Sequence, residues 1–257
     1  MVRPVTPRIV RITLGGAALE GLVSLGPTGH AKAYVPDAVS GEPVIPEVAP
    51  DGTLLPPTRA AHRREYTVRA VRRSSGGTEV DLDLVLHGDG PGSAWARAAA
   101  VGAPLLIAGP KSSKVVPEGV RTVLLGCDET ALPAVARWLE MLPADVVVTV
   151  VAEVDGPADE AYLRDRALDR RPHLRIEWLH RSSLEAGPEG LLVQAVRGLP
   201  SADFTWCAGE AGGLVAVRRH LRRERALPAS RVEITGYWRR GVAAFDHHAP
   251  LDPQDPD

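Results

Sequence analysis

Residues 64–69 read Arg-Glu-Tyr-Thr-Val-Arg, which crowds an aromatic ring, a small hydroxyl and two guanidinium groups onto a short strand-forming stretch. That assortment suits a flavin nucleotide, which offers a flat apolar ring, a hydrogen-bonding edge and a diphosphate. On a strand, alternate side chains share a face, so Arg64, Tyr66 and Val68 project one way and Thr67 and Arg69 the other. One face can then place Arg64 on a phosphate and Tyr66 against a ring. The same residue types also sit in many ordinary strands, so the segments that follow must decide.

The stretch His87-Gly88-Asp89-Gly90-Pro91-Gly92-Ser93 is the next candidate. Its glycines let backbone approach a ligand closely, and a helix opening at Ser93 presents free amides to an anion. A plain Gly-Pro turn with a cap at Ser93 is the commoner use of such residues. Lys111, in the turn 109–112, is either a phosphate partner or part of a solvated loop. Further on, Asp128-Glu129-Thr130 follows an apolar strand and precedes a helix, with Thr130 able to cap it and Pro133 in its first turn. Ligands of open α/β sheets bind at the carboxyl ends of such strands. No G-x-G-x-x-G stands there, and two acids would oppose an incoming pyrophosphate. The alternative is that Asp128 and Glu129 complement a helix N-terminus.

Trp206-Cys207-Ala208-Gly209-Glu210 repeats the strand-end arrangement, and Leu214, Val217, His220 and Leu221 follow as one helical stripe, read as core. Cys207 reads as a small buried hydrophobe, although its strand-end position leaves open proximity to a nicotinamide. Thr235–Gly241 joins Tyr237 and Trp238 to Arg239 and Arg240, either as a solvated strand end or as a pocket wall for an anionic aromatic ligand. His62, His173, His180, His220 and the His247-His248 pair share no ligand spacing with cysteine or carboxylate partners, and no protein-bound metal is expected.

The elements that must position these residues fall into two rhythms. Ile9–Leu14, Ala31–Val35, Arg64–Val71 and the alternating Val80–Leu86 predict short strands, with a turn at Ser74–Gly77 and a helix over Ser93–Ala100. In the alternating strand Val80, Leu82, Leu84 and Leu86 share one face and Asp81 and Asp83 the other. Residues 36–57 read as a long surface loop. After about Pro117, strands at Thr122–Leu125, Asp145–Val154, Leu174–Leu179, Phe204–Cys207 and Val232–Thr235 alternate with helical stretches. This is an α/β pattern with a mostly parallel sheet. The expected division is residues 1–117, 118–245 and a loose tail over 246–257.

With 257 residues and a formal charge of −2, the chain lacks the basic footprint of a nucleic-acid binder. Lysine occurs only at Lys32, Lys111 and Lys114. Two separated cysteines, no secretory leader and no membrane-length apolar run predict a protein of the cytoplasm.

Taken in order, these segments resemble the siderophore-interacting protein family, flavin reductases related to the ferredoxin–NADP reductase fold. The likeness runs through Arg64–Arg69, His87–Ser93 with Trp95, Asp128–Ala134, Leu139–Pro143, Trp178–Arg181, Ala208–Glu210 and Gly236–Gly241. It implies an N-terminal antiparallel β-barrel that binds FAD and a C-terminal α/β domain that binds NADH or NADPH. By resemblance, Arg64 contacts flavin phosphate, Tyr66 packs on the isoalloxazine, and Thr67 approaches its reactive edge, with Val68 and Arg69 beside them. Tyr66 and Thr67 are the nearest to catalytic positions. His87 and Gly88 border the flavin, Gly92 and Ser93 hold the diphosphate, and Asp128, Glu129, Thr130, Ala208, Gly209 and Glu210 line the nicotinamide side. Lys32, Arg239 and Arg240 are the expected cations for an anionic ferric siderophore.

One departure stands out. The family usually reads Gly-Asp-Glu-Thr, and Cys127 occupies the glycine's place, which implies either strain at Cys127 or a turn shifted to Gly126. The implied activity is ferric-siderophore reduction by a monomer, with NAD(P)H or a ferredoxin as donor. A flavin oxidoreductase acting on free flavin or quinone, and a non-catalytic FAD or siderophore binder, are the alternatives. Arg164, Arg166, Arg181 and Arg218 are each candidates for a 2′-phosphate.

Overall fold

A computed structural model describes residues 1–36, 41, 47, 49–51, 55, 62–88, 90–110, 113–164, 171–182 and 190–255. Most of the expected 36–57 loop, together with Asp89, Lys111 and Arg166, lies outside them. The chain divides into two compact units, Met1–Lys114 and Val115–Asp257.

The first unit is built from β1 (Val2–Thr6), β2 (Ile9–Gly15), β3 (His30–Val35), β4 (His62–Ser74), β5 (Gly77–Val85), α1 (Pro91–Ala98) and β6 (Leu106–Ala108). Its six strands form one antiparallel sheet in the order β1-β2-β5-β4-β3-β6. The sheet curls: Ile12 of β2 and Ala31 and Ala33 of β3, two strands removed from each other, share a core with Val68, Val80, Leu82, Leu84 and Ala96 of α1. Helix α1 accordingly touches β2, β3, β4 and β5. This is the expected barrel-like antiparallel domain, with β1 and β6 as its edges among the described residues.

The alternation in β5 holds on its apolar face, where Val80, Leu82 and Leu84 are buried. Its polar face is also covered. Asp81 and Asp83 are buried there because β2 brings Thr13 and Arg11 directly opposite them. Arg11 forks onto Asp83 with two bonds of 2.7 Å, and Thr13 donates to Asp81 at 2.8 Å. Arg72 of β4 also donates to Asp81.

The second unit carries β7 (Thr122–Asp128), α2 (Leu132–Met141), β8 (Val147–Val154), β9 (Leu174–His180), α3 (Leu191–Gly198), β10 (Phe204–Glu210), α4 (Ala211–Arg219) and β11 (Val232–Trp238). Its parallel sheet is ordered β11-β10-β7-β8-β9. The valine-rich β8 is buried on both faces, as an interior parallel strand requires. On one face α3 and α4 pack Leu191, Val196, Leu214 and Val217 against Leu124, Val151 and Cys207. Phe204 and Trp206 of β10 meet Trp138 of α2 at ring distances of 5.8 and 6.1 Å.

The stripe Leu214, Val217, His220 and Leu221 is buried as expected, although the helix ends in a π-helical turn over His220–Glu224. Arg171, unremarked in the sequence, caps α2 by donating to the carbonyls of Leu139, Leu142 and Pro143. The described part of the expected loose tail makes directed contacts. Asp255 pairs with Arg218 and Arg223, and Asp252 with Arg219 at 3.5 Å. No helix among the described residues is long and apolar enough to cross a membrane.

Candidate functional site

In the first unit, Tyr66 and Arg64 converge on the start of α1. A Cβ placed on Gly92 would lie 2.9 Å from the Tyr66 hydroxyl and 4.0 Å from Arg64 Cγ, so a side chain at 92 would have to push the Tyr66 hydroxyl aside. Tyr66 packs on the same core as Val68, consistent with the shared face of Arg64, Tyr66 and Val68. Burial pushes the Tyr66 phenol up to about 12, against a downward pull from Arg64. It is an uncharged ring at any pH near neutrality.

Ser93 does not cap α1. Gly90 holds the N-cap position and Pro91 opens the helix, while the Ser93 hydroxyl donates to the His87 carbonyl (2.9 Å) and accepts from the His87 amide (3.0 Å). Its side chain therefore ties the 87–93 loop together. What it can offer an anion is its backbone amide, with that of Gly92, since first-turn amides lack intrahelical partners. Arg97 clamps the same loop through the Gly88 carbonyl at 2.8 Å.

These residues fit an FAD diphosphate and ring: a Cβ-free helix start beside a neutral aromatic ring and a guanidinium. Thr67 is buried and Arg69 half-buried on the same strand, while His87 and Gly88 are exposed. Lys32 of β3 lies opposite Glu65 in the ladder, 3.7 Å from its carboxylate.

In the second unit, β7 is followed by β8 on one side, whereas β10 returns to its other side. The crevice at the carboxyl ends of β7 and β10 is thus the switch point at which open parallel sheets take ligands. Asp128 fills it. Its carboxylate accepts from the Thr130 amide (2.8 Å) and hydroxyl (2.5 Å), the Glu210 amide (2.9 Å) and the Trp238 indole N–H (2.8 Å). Gly209, at φ +150°, leaves room for it: a Cβ there would stand 2.7 Å from the Asp128 carboxyl carbon. Burial raises Asp128 to about 6, against the downward pull of its bonds to Thr130 and Trp238.

The expected cap is reversed as well. Asp128, not Thr130, caps the short turn Glu129–Ala131, and α2 begins only at Leu132 with Pro133 in its first turn. Asp and Thr are comparable caps, so their adjacency left the choice to geometry. The acids expected to repel a pyrophosphate are turned inward. Glu129 is buried and accepts from the Asp155 amide at 2.8 Å and from Arg181. Glu210 caps α4 through Gly213 (2.7 Å) and accepts from the Arg240 amide (3.0 Å). Burial alone would raise Glu210, but these amides hold it below its ordinary value.

Cys127 carries no strain. It lies within β7, and the described non-glycine residues with positive φ are Ala226 and Ala244. Nor has the turn moved to Gly126, whose φ is also not positive; that glycine admits Cys207, whose sulfur would be 2.7 Å from a Cβ at 126. Cys127 registers with Ala208 and Cys207 with Gly126, so the two thiols leave opposite faces of the sheet. Burial raises both, Cys207 to about 12.

Among the 2′-phosphate candidates, Arg181 is paired with Glu129 and Glu153, Arg218 with Asp255, and Arg164 with Glu160 at 2.9 Å. Arg239 stacks over Phe245 at 5.3 Å and donates to the Leu251 carbonyl. Arg240 is exposed. The link from Trp238 to Asp128 was not foreseen, for the two residues stand 110 positions apart.

Residues 1–114 match the siderophore-interacting FAD-binding domain, and residues 120–241 match the siderophore-interacting protein domain. The chain belongs to the siderophore-interacting protein family. It is 33% identical to the NADPH-dependent ferric-chelate reductase of Escherichia coli, over 89% of this chain and 86% of that one. It is 30% identical to the ferric vibriobactin reductase of Vibrio cholerae, over 95% of this chain and 89% of the relative. The crystal structure of a siderophore utilization protein from T. fusca superposes with a TM-score of 0.82 at 39% identity, covering 97% of this chain and 94% of that chain.

Proposed function

We propose that this protein is an FAD-dependent ferric-siderophore reductase of iron acquisition, passing electrons from NADH or NADPH to an Fe(III)–siderophore and releasing Fe(II). The observation that carries the reading is the approach of Tyr66 and Arg64 to the glycine at the start of α1, inside a domain of the FAD-binding family. The two relatives of known name, one a ferric vibriobactin reductase and the other an NADPH-dependent ferric-chelate reductase, support the substrate and the donor.

When bound, FAD accepts the electron pair of a nicotinamide and passes electrons on singly, which suits a one-electron metal. Siderophores hold Fe(III) through hard, anionic oxygens, and reduction loosens that grip. The chain's own residues bind and orient. Arg64 and the Gly92 and Ser93 amides hold the diphosphate; Tyr66 supplies a neutral ring; Thr67, Val68 and Arg69 complete the flavin side with His87 and Gly88. Asp128, Glu129, Thr130, Ala208, Gly209 and Glu210 shape the nicotinamide end of the second unit. Lys32, Arg239 and Arg240 attract the anionic ferric complex, Lys32 with its charge partly shared with Glu65. A cytoplasmic monomer belongs to this reading, with ferredoxin as the alternative donor.

One anaerobic titration tests it. The purified protein should be yellow, bleach with NAD(P)H and recolour on adding a ferric siderophore. Reoxidation by quinone but by no ferric complex would overturn the assignment of acceptor. Tyr66→Ala should weaken FAD about tenfold through loss of ring contact, read as flavin content after dialysis; unchanged content would remove Tyr66 from the site.

A further inference from the structure

Trp238 has an arrangement that the flavin side of the chemistry does not use. It ends β11, and the register between β10 and β11 slips beside it: Gly236 faces Gly209, but Trp238 faces Glu210. Bulges of this kind re-aim a side chain. Here the indole N–H is aimed at Asp128, 2.8 Å away at the end of β7, so one side chain spans the carboxyl ends of three strands. Trp238 is nevertheless 37% exposed. Its polar edge is pinned by a buried carboxylate while its ring remains open to a ligand.

The anchor is itself over-determined. The same Asp128 oxygen that takes the indole takes the Glu210 amide, and the other oxygen takes Thr130 twice. Gly209, lacking a Cβ, lets the carboxylate sit against its backbone. A tryptophan held this way loses little freedom when a flat ring stacks on it. Asp128 and Glu210 adjoin it, Glu210 balanced by Arg240, and oxidised nicotinamide, a flat cation, fits against its open face.

We propose that Trp238 is the platform on which the nicotinamide ring of the donor stacks, and that Asp128 is the positioning residue that fixes Trp238 through its indole N–H. This rests on the donor named in the proposed function and adds the residues that receive its reactive end.

The experiment is calorimetric binding of NADP+ and NAD+ to the FAD-loaded protein, with AMP and 2′,5′-ADP as probes of the adenosine half alone. Oxidised nucleotides avoid turnover. Trp238→Ala should weaken both dinucleotides about tenfold and leave the adenosine-half ligands unchanged. Trp238→Phe, which keeps a ring, should lose about threefold. Asp128→Asn should weaken the dinucleotides in the wild-type background but add nothing in the Trp238→Phe background, because the N–H it acts through is gone.

Unchanged dinucleotide affinity in Trp238→Ala overturns the platform while leaving the proposed reductase standing. Equal loss for the adenosine-half ligands overturns it too, by making the effect a general collapse. An Asp128→Asn effect of the same size in both backgrounds removes Asp128 as the anchor. Failure of the wild type to bind either dinucleotide sinks this inference together with the nicotinamide donor.

Discussion

Asp81 in the first unit and Asp128 in the second are both buried carboxylates in sheets, and they answer burial in opposite ways. At Asp81, burial would raise the carboxyl, but Arg72, Thr13 and Arg11 outweigh it and hold it below its ordinary range. At Asp128, burial wins, and the carboxyl rises to about 6 although it accepts four hydrogen bonds. The difference lies in the donors. Two guanidiniums face Asp81, whereas Asp128 has a hydroxyl, two amides and an indole. Hydrogen bonds from neutral groups satisfy a buried carboxylate without repaying the loss of water around its charge. The first arrangement suits a scaffold, and the second suits a group kept at a ligand crevice.

The largest expected effect comes from stripping the scaffold of its compensation. Arg11→Met leaves Asp83 without its bidentate partner and Asp81 with one guanidinium, that of Arg72, beside the Thr13 hydroxyl. Removing one member of a buried pair costs about 3 kcal/mol or more. Denaturant unfolding at neutral pH should read that loss. A change under about 1 kcal/mol would mean that the Asp81–Asp83 face is in effect solvated.

The second effect distinguishes the two carboxylates by sign. Asp128 titrates near 6 when folded and near its ordinary 3.8 when unfolded. Its contribution is therefore fully present below about pH 4 and is lost as pH rises through 6. At about 1.4 kcal/mol per pKa unit, the total is about 3 kcal/mol. Asp128→Asn lacks this loss, so its stability relative to wild type should improve by about that amount between pH 4 and 7. Asp81 acts in the other direction: its lowered folded pKa contributes stability above the unfolded value that is lost as pH falls through the folded one. Asp81→Asn should flatten the acid limb below pH 4. Parallel unfolding curves for both variants against wild type across pH 3–7 would erase the contrast.

Much of this was legible in the chain. Val80, Leu82 and Leu84 alternate strictly, and one curled sheet with one apolar core follows from such strands. The valine run of β8 has no polar face and must be interior. What was not legible is pairing at a distance. Asp81 and Asp83 read only as the face opposite the apolar one, because their partners Thr13 and Arg11 stand 68 and 72 residues away. Neither β1 nor the three-residue β6 has a pattern of its own; both are edge strands among the described residues, formed by the neighbour each pairs with, and an edge tolerates Pro4. In the crevice, the strand ends at Asp128 and Glu210 were visible as motifs. Their closure by Trp238 was not, since only the return of β10 and β11 beside β7 brings it there.

A smaller effect tests whether Asp128 really fills its crevice. Gly209→Ala would drive a methyl into the Asp128 carboxylate and hold a side chain at a φ that favours glycine. Overpacking of this kind costs about 1–3 kcal/mol. The Asp128 resonances should move with it. Full stability with unmoved resonances would show that the carboxylate has room to leave.

The smallest effect is the most direct comparison of the two environments. Thr13 and Thr130 each donate one hydroxyl to a buried carboxylate, at 2.8 and 2.5 Å. Replacing either with valine removes about 1 kcal/mol of hydrogen bonding at nearly constant volume. At Asp128 no guanidinium donates to the carboxylate, so Thr130→Val should push its titration further above 6. At Asp81 two guanidiniums remain, and Thr13→Val should raise its titration less. Carbon-detected titration of the two carboxyls reads both shifts in one series. Equal shifts would mean that guanidinium and amide donors compensate burial alike.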